Sequence, residues 1–270
     1  KEKWLAIYER KIAEIREIAP NYKPRDFDSL AAEVIASIEE LERRKVLANT
    51  SALLFHAIKK GERVLFEGAQ GVLLCKDHGT RPYVTSSHSC GCKLGFDVGL
   101  TGNLLEDVHR IGIAKAYTTR VGQGPFPTEI TGELADRIRE RGHEVGTTTG
   151  RRRRVGWLDT IGLRYARDVT RVDEMVITKG DVLTGIDPLN IAVAYKFDGE
   201  LLDGFDFSDA SRVVRVVPNY VKVNGFSYVA DDKGILSKKF REYVDTIRDL
   251  SKVPVRLVTN GADRSKFIVL

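Results

Sequence analysis

Met175-Val176-Ile177-Thr178 is a short, unbroken apolar run that ends in a Lys-Gly-Asp loop. A short buried strand reads this way. Such strands belong to parallel sheets whose crossovers are helices. The surroundings agree: Ile111 to Thr119 reads as a strand, and Leu134 to Arg141 and Trp157 to Val169 read as helices. Beyond the run, Ile191 to Phe197, Val213 to Val217 and Tyr220 to Val223 read as antiparallel strands, with Asp198-Gly199 as a hairpin signal. Leu236 to Leu250 is an amphipathic helix carrying Phe240, Val244 and Ile247, and Val255 to Val258 and Phe267 to Leu270 close the chain as strands.

The opening of the chain is helical. Lys3 to Ala19 places Trp4, Ile7, Ile12 and Ile15 near a 3.6-residue period. Asp28 is the expected cap of a second helix with the stripe Leu30, Val34, Ile38 and Leu41. Leu47 to Lys60 is the third, stopped by Gly61. The first strand expected is Arg63 to Phe66. The expected fold class is therefore α/β: a mostly parallel central sheet flanked by helices, a helical N-terminal part and an antiparallel C-terminal subdomain. The expected divisions are residues 1–61, 62–184 and 185–270.

A chain of 270 residues can bury a substantial core, and 42% hydrophobic with 30% charged residues is an ordinary globular balance. A net charge of +5 suits small anionic ligands as well as nucleic acid and does not choose between them. No apolar run is long enough to span a membrane, and no membrane partner is expected. Cys75, Cys90 and Cys92 are an odd number, which argues for free thiols and a reducing, cytoplasmic setting. Cys90-Gly91-Cys92 is too tight for a usual zinc pair and no second pair follows it, so no metal ligand is expected in this chain. Met175 is the sole methionine and the chain opens on Lys1, so an N-terminal segment is expected to precede it.

Gly146-Thr147-Thr148-Thr149-Gly150 leads into Arg151-Arg152-Arg153-Arg154 and then apolar Val155-Gly156-Trp157-Leu158. A disordered basic arm would not return to core residues. Threonine hydroxyls, backbone N–H groups and bidentate guanidinium groups all bind carboxylate and phosphate oxygens, so the stretch reads as a pocket for several small anions. A solvated basic face remains the bland alternative.

Thr178-Lys179-Gly180-Asp181 sits at a strand end. Guanine presents two donors on one edge, N1–H and its exocyclic amine, which a single carboxylate accepts together. Adenine has an acceptor at N1 and no amine at C2. A Lys stem over the base and an Asp at its edge would therefore select guanine. A plain strand-end loop fits the same four residues. Val258-Thr259-Asn260-Gly261 follows another strand and could offer backbone N–H groups to a base carbonyl. Phe66-Glu67-Gly68-Ala69-Gln70-Gly71 allows close backbone approach beside a donor–acceptor amide at Gln70. The hydroxyl-rich Asp77 to Ser87 stretch, with Thr85, could hold a phosphate or form a polar loop. Gly122 to Glu129 is a glycine–proline loop that lacks the Gly-Lys-Ser/Thr ending of a Walker A loop.

Together these segments resemble the adenylosuccinate synthetase family. The resemblance rests on Phe66 to Gly71, Asp77 to Ser87, Lys115 to Gly122 with Gly124 to Glu129, Glu144 to Asp159, Thr178 to Leu183 and Thr259 to Arg264, in the family's order and with similar spacing. It implies a P-loop-NTPase-like fold and a cytoplasmic, homodimeric ligase of purine (AMP) biosynthesis that binds no nucleic acid. IMP, L-aspartate and GTP would give adenylosuccinate, GDP and phosphate with Mg²⁺, through a 6-phosphoryl-IMP intermediate.

By resemblance, Gln70, Thr85 and Arg151 match IMP contacts, with Gln70 in a supporting catalytic place beside the 6-oxygen. Thr147, Thr148, Thr149, Gly150, Arg151, Arg152 and Arg153 match the loop that closes over aspartate. Arg153, Lys179, Gly180, Asp181, Thr259, Asn260 and Gly261 match the GTP site. The family's Gly-Asp-Glu-Gly-Lys-Gly-Lys segment and its catalytic Asp and His have no counterpart here. Either an N-terminal segment lies outside this sequence, which the methionine argument favours, or the chain cannot catalyse alone. Gly180 replaces a more usual Leu, and His88-Ser89-Cys90-Gly91-Cys92 departs from the family's Asn-Thr-rich continuation. Two other functions are weighed: a phage-type relative that joins aspartate to a guanine nucleotide, and a GTP- or nucleic-acid-binding module without ligase activity. The lack of aromatic residues among the arginines counts against the second.

Overall fold

A computed structural model describes residues 2–100, 108–146 and 150–270. The chain divides into two compact units, Lys1–Glu62 and Arg63–Leu270.

The first unit holds helices α1 (Glu2–Ile18), α2 (Phe27–Arg43) and α3 (Thr50–Lys59). The cap of α2 is Asp26 rather than the expected Asp28. Its carboxylate accepts from the backbone N–H of Ser29 at 2.9 Å, and Asp28 falls in the first turn. Asn49 caps α3 in the same way, accepting from Ala52 at 3.0 Å. Tyr8 on α1 meets the Phe27 ring at 5.4 Å. Ala31 is the one buried apolar residue among the described residues of this unit; the stripe residues Val34, Ile38 and Leu41 are exposed.

The second unit carries two four-stranded sheets and a small ribbon. Its elements are α4 (Leu94–Asp97), β1 (Ile111–Lys115), β2 (Thr118–Arg120), α5 (Glu133–Arg141), β3 (Arg154–Gly156), β4 (Leu158–Asp159), α6 (Thr160–Thr170), β5 (Glu174–Thr178), β6 (Leu189–Phe197), β7 (Glu200–Leu202), α7 (Ala210–Val213), β8 (Val217–Val223), α8 (Lys238–Ser251), β9 (Val255–Thr259) and β10 (Phe267–Val269). The first sheet runs β1-β5-β9-β10. β1, β5 and β9 are parallel, and β10 is antiparallel at the edge. In the second, β4 pairs parallel with β6, which pairs antiparallel with β7 and β8. The expected α/β class, parallel at its centre with antiparallel strands toward the C-terminus, is the fold found. No helix among the described residues is long and apolar enough to cross a membrane.

Two cores hold this unit. In the larger, Met175 and Ile177 of β5 and Val258 of β9 pack under Phe240, Tyr243, Val244 and Ile247 of α8. In the smaller, Ile161, Tyr195, Phe205 and Phe207 cluster, with Tyr195 meeting the two phenylalanine rings edge-on at 5.7 and 5.9 Å. The Asp198-Gly199 hairpin joins β6 to β7 with both residues at positive φ, 50° and 91°, as a tight two-residue turn requires.

Four local expectations are corrected. Arg63 to Phe66 forms no strand: Leu65 is 89% exposed, and no ladder partner lies beside it among the described residues. The expected strand Ile111 to Thr119 breaks after Lys115. Tyr117 turns into the core, and β2 pairs with β3 instead of β5. The helix expected from Trp157 starts at Thr160, because the Asp159 carboxylate accepts from the N–H groups of Ile161 and Gly162, both at 3.1 Å. Val213 to Val217 is not a strand; Asp209 caps the short α7 there, and β8 begins at Val217.

Candidate functional site

Neighbouring parallel strands β5 and β9 end side by side, and each runs into a loop. Lys179 leaves β5 in the left-handed conformation at φ +60° and turns the chain sharply into Gly180–Leu183. The Lys179 N–H donates to Thr259 Oγ1 at 3.2 Å, which ties the loop after β5 to the loop after β9. The second loop closes on itself where the Asn260 N–H donates to the Lys266 carbonyl at 2.9 Å, with Gly261 at φ +139°. Gly180 is required by space: a Cβ there would stand 2.7 Å from two ring carbons of Phe240. The Phe240 ring fills the room a larger residue would need, which accounts for glycine at this position.

Asp181 Oδ1 is buried and has no hydrogen-bond partner. An unpaired buried carboxylate oxygen is costly, so its persistence in a strand-end loop marks a place where a donor from outside the chain would be stabilised. The Lys179 ammonium is already committed. It donates to the Gly142 carbonyl at 2.6 Å and to Glu144 Oε1 at 2.9 Å. Its charge is thereby pinned at one end, and its methylene stem is left to carry an apolar face.

Glu144 organises this side of the site and was not singled out in the sequence. Its side chain is 0% exposed, and it accepts from Lys115 Nζ at 2.8 and 2.9 Å, Tyr117 Oη at 2.5 Å, Lys179 Nζ at 2.9 Å and Arg153 Nη1 at 3.0 Å. Burial alone would raise its pKa; the hydrogen bonds from Lys115, Tyr117 and Lys179 outweigh that and hold it at about 2. Burial holds Lys115 below the ordinary lysine range, even though Glu144 pulls the other way. Burial, reinforced by Glu144, pushes the Tyr117 phenol far above its usual range, so it remains a donor.

The four arginines diverge instead of lining one pocket. Arg154 forks onto both oxygens of Glu129, donates to the Gly124 carbonyl at 2.7 Å and lies over the Phe126 ring at 5.4 Å. Arg153 faces Glu144. Arg152 is exposed, 3.9 Å from Asp136, and Arg151 is exposed. The loop between them is closed at its base: the Arg153 N–H donates to the Glu144 carbonyl at 2.9 Å, the Gly146 N–H to the Arg151 carbonyl at 2.8 Å, and the Gly150 N–H to the Gly146 carbonyl at 2.8 Å. Gly150 takes φ +63°. Thr147, Thr148 and Thr149 lie outside the described residues.

Gln70 and Thr85 meet elsewhere. Both line a pocket of about 420 Å³, together with Tyr83, Gly122 and Gln123. Gln70 holds φ +58°, unusual for a residue with a Cβ and common at sites that aim a side chain. A wider cleft of about 760 Å³ is lined by Pro125, Phe126, Pro127 and Arg154 and holds none of the substrate contacts expected from the sequence. The smaller pocket is therefore the better candidate.

The fold and this geometry define an α/β protein whose candidate ligand site lies outside the carboxyl ends of its parallel strands, lined by cations and, among the described residues there, by one unsatisfied carboxylate oxygen. Residues 1–268 match the family model described as adenylosuccinate synthetase. Adenylosuccinate synthetase of Aquifex aeolicus (strain VF5) is 43% identical over 248 residues, which is 91% of this chain and 56% of that protein. That of Geobacillus kaustophilus (strain HTA426) is 44% identical over 229 residues, 82% of this chain and 52% of that protein. The structure of fully ligated adenylosuccinate synthetase from Plasmodium falciparum superposes with a TM-score of 0.88 at 29% identity, covering 100% of this chain and 64% of that one. The chain belongs to the adenylosuccinate synthetase family. It spans about half the length of the curated relatives it matches.

Proposed function

We propose that this chain carries the guanine-, IMP- and aspartate-binding part of a GTP-dependent ligase that joins L-aspartate to IMP, giving adenylosuccinate, GDP and phosphate through a 6-phosphoryl-IMP intermediate. The observation that carries the proposal is the buried, unpartnered Asp181 Oδ1 beside the Thr259–Gly261 loop. In this reading Asp181 accepts N1–H and the exocyclic amine of guanine. The Lys179 stem lies over the base, and Gly180 keeps the loop close to α8. Asn260 and Gly261 offer backbone N–H groups to the base carbonyl.

Gln70 and Thr85 orient IMP in the pocket they share, with Gln70 beside the 6-oxygen and Arg151 on the nucleotide phosphate. The aspartate carboxylates fall to residues 147–153, with Arg153 also reaching GTP. Separating substrate anions among hydroxyls, N–H groups and guanidinium groups is electrostatic and positional work, which is most of what phosphoryl transfer asks of a protein. Mg²⁺ accompanies GTP in this reading. The described residues of the site offer it no oxygen cage: Glu144 is saturated by its cations, and Asp181 is given to the base. The setting proposed is a cytoplasmic homodimer of AMP biosynthesis.

The test is a thermal-shift titration of the chain with GDP, ADP and IMP, each with Mg²⁺, in wild type and Asp181→Asn. A ligand at a hundred times its Kd stabilises the folded state by about 2.7 kcal/mol. GDP and IMP are expected to stabilise the wild type while ADP does not, and Asp181→Asn is expected to lose the GDP response alone. ADP matching GDP in the wild type would remove the role given to Asp181.

A further inference from the structure

The three cysteines do not scatter. Cys75 Sγ lies 3.5 Å from Cys90 Sγ, and Cys90 Sγ lies 2.6 Å from Cys92 Sγ. One ligand atom from each of His78, Cys90 and Cys92 falls within 4.8 Å of the other two. Two neighbouring loops thus bring His78, Cys90 and Cys92 together with Cys75 beside Cys90, Cys75-x-x-His78 from one loop and Cys90-x-Cys92 from the other. The second Cys/His pair thus precedes Cys90-Gly91-Cys92 in the chain instead of following it.

We propose that Cys75, His78, Cys90 and Cys92 form a site for a single zinc ion, held by three thiolates and one imidazole. Three observations carry this. The first is donor chemistry: three sulphurs and an imidazole suit a tetrahedral zinc ion and exclude Mg²⁺ and Ca²⁺, which take oxygen. Thiols in a tetrahedral zinc site sit about 3.8 Å apart, from bonds of about 2.3 Å. Cys75 and Cys90 are already near that spacing. Cys92 is exposed and can swing away from Cys90 to reach it.

The second observation is the turn that carries Cys75. The turn closes with the Gly79 N–H donating to the Cys75 carbonyl at 2.6 Å. Only glycine fits there, since a Cβ would stand 2.5 Å from that same carbonyl oxygen and 2.6 Å from that of Leu73. Cys-x-x-His-Gly is thereby folded into a tight loop.

The third observation is enclosure. Cys75 is 0% and Cys90 1% exposed, so two ligands are dry, while Cys92 and the half-buried His78 leave an entry path. Lys93, whose ammonium pairs with Asp77, follows Cys92 directly in the chain and adds a positive charge to the loop of a three-thiolate site. Binding would release up to three thiol protons and change no oxidation state. It would also brace the base of the Gln70–Thr85 pocket, because the Thr85 N–H donates to the Leu74 carbonyl at 2.8 Å and the Lys76 N–H to the Ser87 carbonyl at 3.2 Å.

The test uses the whole chain, purified without chelator or metal-affinity tag and under reductant. Elemental analysis is expected to find about one zinc per chain. Replacing it with Co²⁺ is expected to give thiolate-to-cobalt absorption in the near ultraviolet and the visible bands of a tetrahedral ion. Changing a group behind a metal ligand typically weakens binding 10- to 100-fold, so Cys90→Ser and Cys92→Ser are each expected to weaken zinc by about 100-fold or more. Cys92 is exposed, so its serine variant keeps the fold, with circular dichroism as the check. The proposal is overturned by three thiols that all react freely in a zinc-free protein, by a disulfide among them in the reduced preparation, or by unchanged zinc affinity in Cys92→Ser. None of these outcomes depends on nucleotide binding.

Discussion

Glu144→Gln is the most informative single change in this chain. The glutamine keeps the shape and removes the charge on which Lys115, Lys179 and Arg153 converge. A carboxylate held at about 2, below the ordinary glutamate value of 4.5, contributes on the order of 3 kcal/mol, at about 1.4 kcal/mol per pKa unit. The sign follows from the depressed pKa. The contribution is fully present above the unfolded value near pH 4.5 and is lost as pH falls toward 2. The assay is urea unfolding followed through Trp157 in a Trp4→Phe background, so that only the Arg63–Leu270 unit is read. At pH 7 the variant is expected to be less stable by about 3 kcal/mol, and the gap to wild type should close by about 1.4 kcal/mol per pH unit below pH 4.5. Lys179 keeps the Gly142 carbonyl but loses its charged partner in the same variant, so GDP stabilisation should weaken with it. A gap under about 0.5 kcal/mol at pH 7, or one that stays constant from pH 6 to pH 3, would refute the assignment of Glu144 as the charge hub.

Gly180→Ala places a methyl against Phe240 and should destabilise the unit by about 1–3 kcal/mol in the same unfolding assay, with Phe240→Leu restoring part of the loss. Thr259→Val removes the acceptor for the Lys179 N–H; calorimetry should show weaker GDP binding with IMP binding unchanged, at a stability loss of about 1 kcal/mol. Arg154→Ala breaks the fork to Glu129 and the bond to the Gly124 carbonyl. It should lower stability by about 2–3 kcal/mol while leaving GDP affinity within about two-fold, which separates this arginine from its neighbours.

Much of the architecture follows from local pattern. The unbroken run at β5 reads as a core strand, in which Met175 and Ile177 are buried and Val176 is partly so, and the loops after β5 and β9 follow from where the apolar stretches stop. The caps of α6 and α8 are written in the sequence as well, since Asp159 and Ser237 stand directly before them. Arg63 to Phe66 misled because β propensity describes a residue's fit to a sheet and says nothing of whether a neighbouring strand is there to receive it.

The sequence by itself determined the residue chemistry: a carboxylate after β5, a glycine-rich amide at Gln70, an arginine run that returns to core, and three thiols in two loops. Tertiary structure alone decided the pairings. Glu144 draws its partners from 27, 29 and 35 positions away, and Cys75 and Cys90 meet across 15. Hydrogen bonds and ion pairs act over about 3 Å, whereas period and motif report only what lies within a few residues along the chain. Which arginine meets a buried carboxylate and which is left exposed is settled only where the sheet brings distant loops together.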